Sequence, residues 1–288
     1  MERLGQVVIG FPGAGKTTYC KAMSEFLTAA GRPNLVVNLD AANDTYTYEV
    51  SSTQCPVDIR DLITLEDAME ACDLGPNGAL MYCMQVVYTN AQWLVSRLGE
   101  REEPMVILDC PGQVELYVHD SPLKSLLHLL QKQLNLRLVV VNLLDSHICV
   151  SSASYLSSVL ASTAMMTSLE LPHLNIFTKV DLIGNYYQSL QFDLRFYGNC
   201  EELERLAEGM SGKRAKLARK LAGVIEDFSL VAYLPFSVKD PETQLSVMKQ
   251  VDRALGCGFL YSSSLAEELE SERWGRIEEK YSKAPSTL

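Results

Sequence analysis

The chain has 288 residues, 47% of them hydrophobic, and a formal net charge of -11. That length and apolar share predict one large α/β domain, with insertions or a small extension, and exclude a largely disordered chain. The acidic balance excludes a surface that coats nucleic acid and leaves any cationic chemistry to local groups. In chain order, Val7, Val8 and Ile9 are β-branched and apolar and read as a short buried strand. Residues 17–30 are good helix formers without Pro or Gly, and Gly31 reads as the helix stop.

Between strand and helix lies Gly10-Phe11-Pro12-Gly13-Ala14-Gly15-Lys16-Thr17, the phosphate-loop pattern G-x-x-x-x-G-K-[ST]. Glycines let backbone N–H groups turn inward around phosphate oxygens, and the helix N-terminus adds a favourable dipole. Gly13, Ala14, Gly15, Lys16, Thr17 and Thr18 are therefore candidate phosphate-binding positions. Lys16 would neutralise β- and γ-phosphates, and the Thr17 hydroxyl would ligate Mg²⁺. A glycine-rich turn that binds nothing is the alternative, and the agreement of pattern with context weighs against it.

Leu35 to Leu39 form a second predicted strand ending at Asp40, a carboxylate on the ligand side of an open parallel sheet and a further metal candidate. Residues 41–56, polar and aromatic with Tyr46 and Tyr48, read as a loop that changes shape with nucleotide state. Residues 58–71 suggest helical pieces, with Thr64 as a cap before Glu66 and Asp67. Gly75-Pro76-Asn77-Gly78 reads as a firm turn, followed by a helix over 79–98.

A third strand, 105–108, ends in Asp109-Cys110-Pro111-Gly112-Gln113, followed by Val114 and Glu115. Asp109 ends a buried strand and can reach Mg²⁺, Gly112 lets a backbone N–H approach a γ-phosphate, and Gln113 and Glu115 can orient a water. Asp-x-x-Gly also marks ordinary strand-to-helix turns; the phosphate loop upstream favours the functional reading. A helix is predicted over 121–134, a strand over 138–144 ending at Asp145, and a helix over 151–169. In that last helix Met165 and Met166 read as core filler.

A fifth strand, 174–177, runs into Thr178-Lys179-Val180-Asp181. This tetrad resembles the guanine-reading motif [NTS]-K-x-D. A carboxylate there accepts both the N1–H and the exocyclic N2–H₂ of guanine, a donor pair adenine lacks, and the Lys179 stem can cover the base. Alone the tetrad is weak; its order after the other two motifs makes it strong. Residues 184–220 break the rhythm and read as a helical insertion whose basic run, Lys213 to Lys220, forms a solvated face. A sixth strand, 231–236, ends at Ser237-Val238-Lys239, where backbone N–H groups could meet guanine O6. A helix over 241–255 closes the domain. Beyond it, Leu265, Leu269, Ile277 and Tyr281 share a period-four stripe, so the tail reads as a helix docking on the body.

The eight cysteines, Cys20, Cys55, Cys72, Cys83, Cys110, Cys149, Cys200 and Cys257, form no C-x-x-C pair, so zinc is not signalled and reduced core thiols are expected. His119, His128, His147 and His173 lack ligand spacing and read as structural or surface groups. The first strand starts almost at Met1 and no apolar run is long enough to cross a bilayer. The expectation is a cytosolic or nuclear protein without a signal peptide, a membrane span or a nucleic-acid partner.

Together these motifs, with Asn38-Leu39-Asp40 and Gly75-Pro76-Asn77, resemble the GPN-loop GTPases over about residues 6–255. Residues 139–147, 171–183 and 225–231 look most like the second of three eukaryotic paralogues, the third being the near alternative. The resemblance implies a dimer, with itself or with another member of the family, whose nucleotide sites face across the interface. It implies that Asn77 of one subunit reaches the phosphates of the other, and that Asp40, Gln113 and Glu115 set up the attacking water. On residue physics alone, Gly75-Pro76-Asn77 is an ordinary surface turn. The resemblance further implies GTP/GDP and Mg²⁺ as ligands, RNA polymerase II subunits or assembly factors as partners, and a cytoplasmic protein that shuttles to the nucleus. Two departures stand out. The family carries Pro after Asp40, and here Ala41 relaxes the local backbone. Relatives of the MinD type carry a lysine where Phe11 stands.

The predicted fold is α/β, a P-loop NTPase with a doubly wound, mostly parallel sheet flanked by helices and carrying helical insertions. Residues 1–258 form the domain, with the insertion at about 184–220, and residues 259–288 form a helical tail. The leading expectation is a GTP-hydrolysing switch. The alternatives are a P-loop phosphotransferase, in which the Lys213–Lys220 run would imitate a lid, and a nucleotide-holding scaffold with negligible turnover.

Overall fold

The computed structural model describes residues 3–44, 48, 55, 57–118, 122–208, 210–228, 230–257 and 273–282. The strand order is β3-β2-β4-β1-β5-β6-β7, an α/β sheet flanked by helices, as the sequence predicts. The chain divides into two compact units, residues 1–141 with 168–173, and residues 142–167 with 174–288.

The first unit is built on β1 (Arg3–Gly10), β2 (Asn34–Asn38), β3 (Val57–Asp58) and β4 (Met105–Asp109). Val, Ile and Leu fill these strands, and Val7, Val8, Ile9, Val36, Val37, Ile107 and Leu108 are fully buried, as parallel strands covered on both faces require. Their register aligns the carboxyl ends: Asp109 lies opposite Val8 on one side and Asn38 on the other, and Asn38 lies opposite Asp58. Helix α1 (Lys16–Ala29) buries Tyr19, Cys20, Met23 and Leu27 against the strands. Then come α2 (Leu65–Cys72), α3 (Pro76–Thr89), α4 (Ala91–Gly99), α5 (Glu115–Val118) and α6 (Pro122–Leu134). Thr64 caps α2 as predicted, its Oγ1 accepting Asp67 N–H at 3.1 Å.

Three expectations need correction here. Strand β3 escapes sequence reading because two residues carry no period. The helix expected over 79–98 is two helices. At Asn90 the side-chain amide donates to Val86 O at 2.9 Å, and this local bond accompanies the break. Gly75-Pro76-Asn77 is not a free turn: Gly75 is the N-cap and Pro76 the first residue of α3, where a missing N–H costs nothing. The expected loop of residues 41–56 lies largely outside the described residues.

The boundary between the units falls within β5 (Leu136–Asp145). The second unit holds most of α7 (Ser152–Leu169) and β6 (His173–Thr178), then α8 (Leu194–Asn199), α9 (Gly212–Phe228), β7 (Tyr233–Pro235), α10 (Pro241–Ala254) and a helix over 273–281, α11. β7 is shorter than predicted. β6 and β7 run parallel with Phe177 opposite Pro235. The Phe177 ring stacks on Tyr233 with centroids 4.2 Å apart, and Tyr155 meets Tyr197 edge-on. In α9, Ala215, Ala218, Ala222 and Ile225 turn inward while Lys213, Arg214, Lys216, Arg219 and Lys220 are exposed, the expected solvated face. Trp274 and Ile277 of α11 are buried, so the described part of the tail docks on this unit. Leu265 and Leu269 lie outside the described residues. No described helix is long and apolar enough to cross a membrane. All eight cysteines are free thiols.

Candidate functional site

In the first unit the glycine-rich loop joins β1 to α1. Gly15 caps the helix at φ 89°, a conformation that strains any residue with a Cβ. No side-chain bond caps this helix start, which sets the positive end of the helix dipole at the loop. Lys16 opens the helix, its side chain buried and its Nζ 3.4 Å from Phe11 O. Gly112 approaches the same loop: a Cβ there would lie 2.9 Å from Lys16 Nζ and 3.2 Å from Pro12 Cα. Its need for glycine comes from crowding by the first motif.

Thr17 Oγ1 donates to Asp109 Oδ2 at 2.8 Å. The same oxygen accepts from Tyr48 Oη at 2.6 Å and Asn43 Nδ2 at 3.2 Å. Asp109 is fully buried, and its Oδ1 has no hydrogen-bond partner among the described residues. Burial raises this carboxyl above the usual range; bonds from Tyr48 and Thr17, the Lys16 charge and Asn43 pull the other way without cancelling it. A buried carboxylate with one bare oxygen, beside a hydroxyl at a helix start, is a hard oxygen donor set that fits Mg²⁺.

Asp40 follows β2 in the same unit. Its N–H donates to Asn38 Oδ1 at 3.1 Å and its Oδ1 accepts Ala42 N–H at 3.0 Å. These two bonds hold the residue in place. Burial raises the Asp40 carboxyl; the Ala42 N–H opposes this, the Asp109 charge adds to it and Lys16 opposes it. Asn38 is the hub: its Nδ2 donates to Asp58 Oδ2 at 3.1 Å and its Oδ1 also accepts Asn43 Nδ2 at 2.9 Å. Asp58 is itself paired with Arg60 at 2.7 Å. Beyond Gly112, Gln113 is half-buried, while Glu115 is exposed in the first turn of α5. The Tyr117 hydroxyl, donating to Pro111 O, pins that turn. Thr18 is exposed on α1 and Asn77 is exposed in the first turn of α3.

In the second unit Thr178 ends β6, its Oγ1 donating to Leu144 O at 3.3 Å. Lys179 takes a left-handed backbone, φ 58°, at the start of a 3₁₀ turn, Val180–Asn185. For a residue with a long side chain this is strained, a mark of constrained sites. Its Nζ pairs with Asp145 Oδ2 at 2.7 Å, fixing the stem. Asp181 Oδ1 accepts the Ser237 hydroxyl at 2.9 Å and its Oδ2 pairs with Lys239 Nζ at 3.0 Å. Lys239 N–H closes the loop onto Ser237 Oγ at 3.1 Å. Of the four residues expected to read the base, Asp181 and Ser237 are joined directly, while the side chains of Thr178 and Lys179 bond to Leu144 and Asp145. The sequence reading assigns no site role to the side chains of Asn38, Asn43, Tyr48 and Asp145. Asp145, a carboxylate at a strand's carboxyl end like Asp40 and Asp109, carried the signal that could have marked it.

A sheet of this order, with this loop at the end of β1 and an aspartate at the end of β4, defines a P-loop nucleoside triphosphatase. Residues 8–257 match a family model described as a conserved hypothetical ATP binding protein. A GPN-loop GTPase of Arabidopsis thaliana is 45% identical over 262 residues, 88% of this chain and 86% of that one. GPN-loop GTPase 2 of Danio rerio is 44% identical, over 89% of this chain and 82% of its own. GPN-loop GTPase 2 of Saccharomyces cerevisiae is 39% identical, over 88% and 75%. The chain belongs to the GPN-loop GTPase family. The fold is shared with a GTPase from Pyrococcus abyssi solved in its apo form, with a TM-score of 0.70 at 20% identity over 87% of this chain and 97% of that one.

Proposed function

We propose that the chain binds GTP with Mg²⁺ and hydrolyses it to GDP and phosphate, acting as a switch within a dimer. The observation that carries this is Thr17 Oγ1 on Asp109 Oδ2 at 2.8 Å, with Asp109 Oδ1 left bare beside the phosphate loop. Thr17 and Asp109, with Asp40 behind them, would hold the cation. Mg²⁺, when bound, screens charge on the β- and γ-phosphate oxygens. Lys16 and backbone N–H groups at the start of α1 receive the charge that develops during in-line attack by water. Gln113, Glu115 and Asp40 orient that water.

The base is guanine. A carboxylate ordered as Asp181 is, by the Ser237 hydroxyl, accepts the N1–H and N2–H₂ that adenine does not offer. This argues for the GTPase names of the relatives over the ATP-binding description of the family model. The phosphotransferase alternative needs a basic lid, and the run proposed for it is the solvated face of α9.

Asn77, exposed beside the proline that starts α3, is proposed to reach the phosphates of a partner subunit, a second copy or another member of the family. The wider role, RNA polymerase II assembly and delivery to the nucleus by a shuttling cytoplasmic protein, enters through the family resemblance. The test is phosphate release from GTP and ATP with Mg²⁺, joined to light-scattering mass in GDP and in a non-hydrolysable GTP analogue, for wild type and Asn77→Ala. The reading expects release from GTP and a dimer in the analogue that Asn77→Ala weakens. Equal release from ATP, or a mass indifferent to nucleotide and to Asn77, contradicts it.

A further inference from the structure

The C-terminal helix α11 touches both segments of the second unit that read the base. At one end Lys280 Nζ and Tyr281 Oη both donate to Asp240 Oδ2, at 2.8 and 3.0 Å. Asp240 is only 2% exposed, and its Oδ1 accepts Glu242 N–H at 3.2 Å, capping α10. At the other end the Trp274 ring meets Phe177, the residue before Thr178, edge-on with centroids 6.1 Å apart. Between them Glu278 Oε1 accepts Leu194 N–H at 2.6 Å.

Asp240 is wired to Asp181. Its N–H donates to Ser237 O at 3.2 Å. Its carbonyl accepts Thr243 Oγ1 at 2.8 Å, and Thr243 Oγ1 in turn accepts Ser237 N–H at 3.1 Å. Ser237 Oγ then donates to Asp181 Oδ1 at 2.9 Å. A carboxylate this buried keeps its place only while its donors do, because an unpaired one is costly. Lys280 and Tyr281 supply two of them from about forty residues along the chain.

We infer that α11 positions the base-reading loop, residues 237–240, through Asp240, so that Lys280 and Tyr281 are positioning residues for guanine selectivity. This rests on the reading of Asp181 as the guanine contact. The helix does more than cover the core, because its polar tip ends on the loop whose serine orders that aspartate. Its apolar anchors, Trp274 and Ile277, are separate from that tip, so the tip can be altered with the docking kept.

The experiment measures equilibrium binding of GDP and ADP, and the kcat and KM for GTP, in wild type, Lys280→Met with Tyr281→Phe, Asp240→Asn and Lys280→Arg. The inference expects the double variant and Asp240→Asn to lose roughly five- to tenfold in GDP affinity, with KM for GTP raised by more than kcat falls and ADP binding unmoved. Lys280→Arg keeps the ion pair and should stay near wild type. A lower thermal midpoint with an unchanged GDP-to-ADP ratio would mark a merely structural helix and overturn the inference alone. A wild type that binds ADP as tightly as GDP would overturn the guanine reading itself.

Discussion

Gly112 and Lys16 occupy each other's space: a methyl group on Gly112 would stand 2.9 Å from the lysine's Nζ and 3.2 Å from Pro12 Cα. The ammonium can swing aside, but the Pro12 backbone cannot. Gly112→Ala should therefore displace the phosphate loop by a fraction of an ångström without opening the core. GTP turnover is expected to fall by roughly tenfold to a hundredfold, since small misplacements at a reacting centre carry such costs. The thermal midpoint should hardly move. Steady-state phosphate release paired with a melting curve checks both halves.

Thr17 and Asp109 stand 92 positions apart in sequence and share a hydrogen bond. If they hold Mg²⁺, chelation by EDTA should abolish turnover, and Thr17→Ala should raise the Mg²⁺ needed for half-maximal rate by at least about tenfold. A Mg²⁺ titration of the two proteins decides it; identical titration curves would remove Thr17 from the cation site.

His173 begins β6 with both ring nitrogens buried and without hydrogen-bond partners among the described residues. Burial pulls its pKa down from 6.5 to about 3, so the fold keeps the ring neutral. Between those values the unfolded chain takes up a proton that the folded chain refuses. Stability contributed by this residue is thus intact above pH 6.5 and falls as pH drops, by up to about 1.4 kcal/mol per unit. Urea midpoints at pH 7.5 and 5.5 should separate more for wild type than for His173→Gln.

Trp274 lies against Gly198 of α8 so closely that a Cβ at Gly198 would enter the indole. Gly198→Ala and Trp274→Ala should each destabilise the second unit, the latter by about 3 kcal/mol, the usual cost of emptying a buried aromatic site. Combined, they should cost less than their sum, because the methyl fills space the indole vacates. Denaturant unfolding of the three variants measures the coupling.

The strand ends were legible in the sequence because each joins a β-branched run to a residue type with a strict task. Gly15 must take positive φ, Asp109 must end a buried strand, and Asp181 must follow Thr178 and Lys179 at a fixed spacing. Thr64 was legible as a cap for the same local reason. What stayed hidden depends on residues far apart or on segments too short for a period. Asn38 organises Asp40, Asn43 and Asp58 only once β2 and β3 are in register. Asp145 finds Lys179 across 34 positions, and Asp240 finds Lys280 across 40. The tripeptide at Gly75 looked like a turn because Gly, Pro and Asn favour turns. The same residues also start helices, and the apolar pattern that follows decided between the two.

The account turns on Asp181 choosing the base. Asp181→Asn exchanges one acceptor oxygen for an amide donor, which mismatches guanine but suits the C2 carbonyl of xanthine. The decisive measurement is hydrolysis of GTP, ATP and xanthosine triphosphate by wild type and Asp181→Asn at saturating Mg²⁺. Wild type should prefer GTP, and the variant should lose that preference by roughly a hundredfold or more while gaining activity on the xanthine nucleotide. A variant that still favours GTP as wild type does would contradict the account.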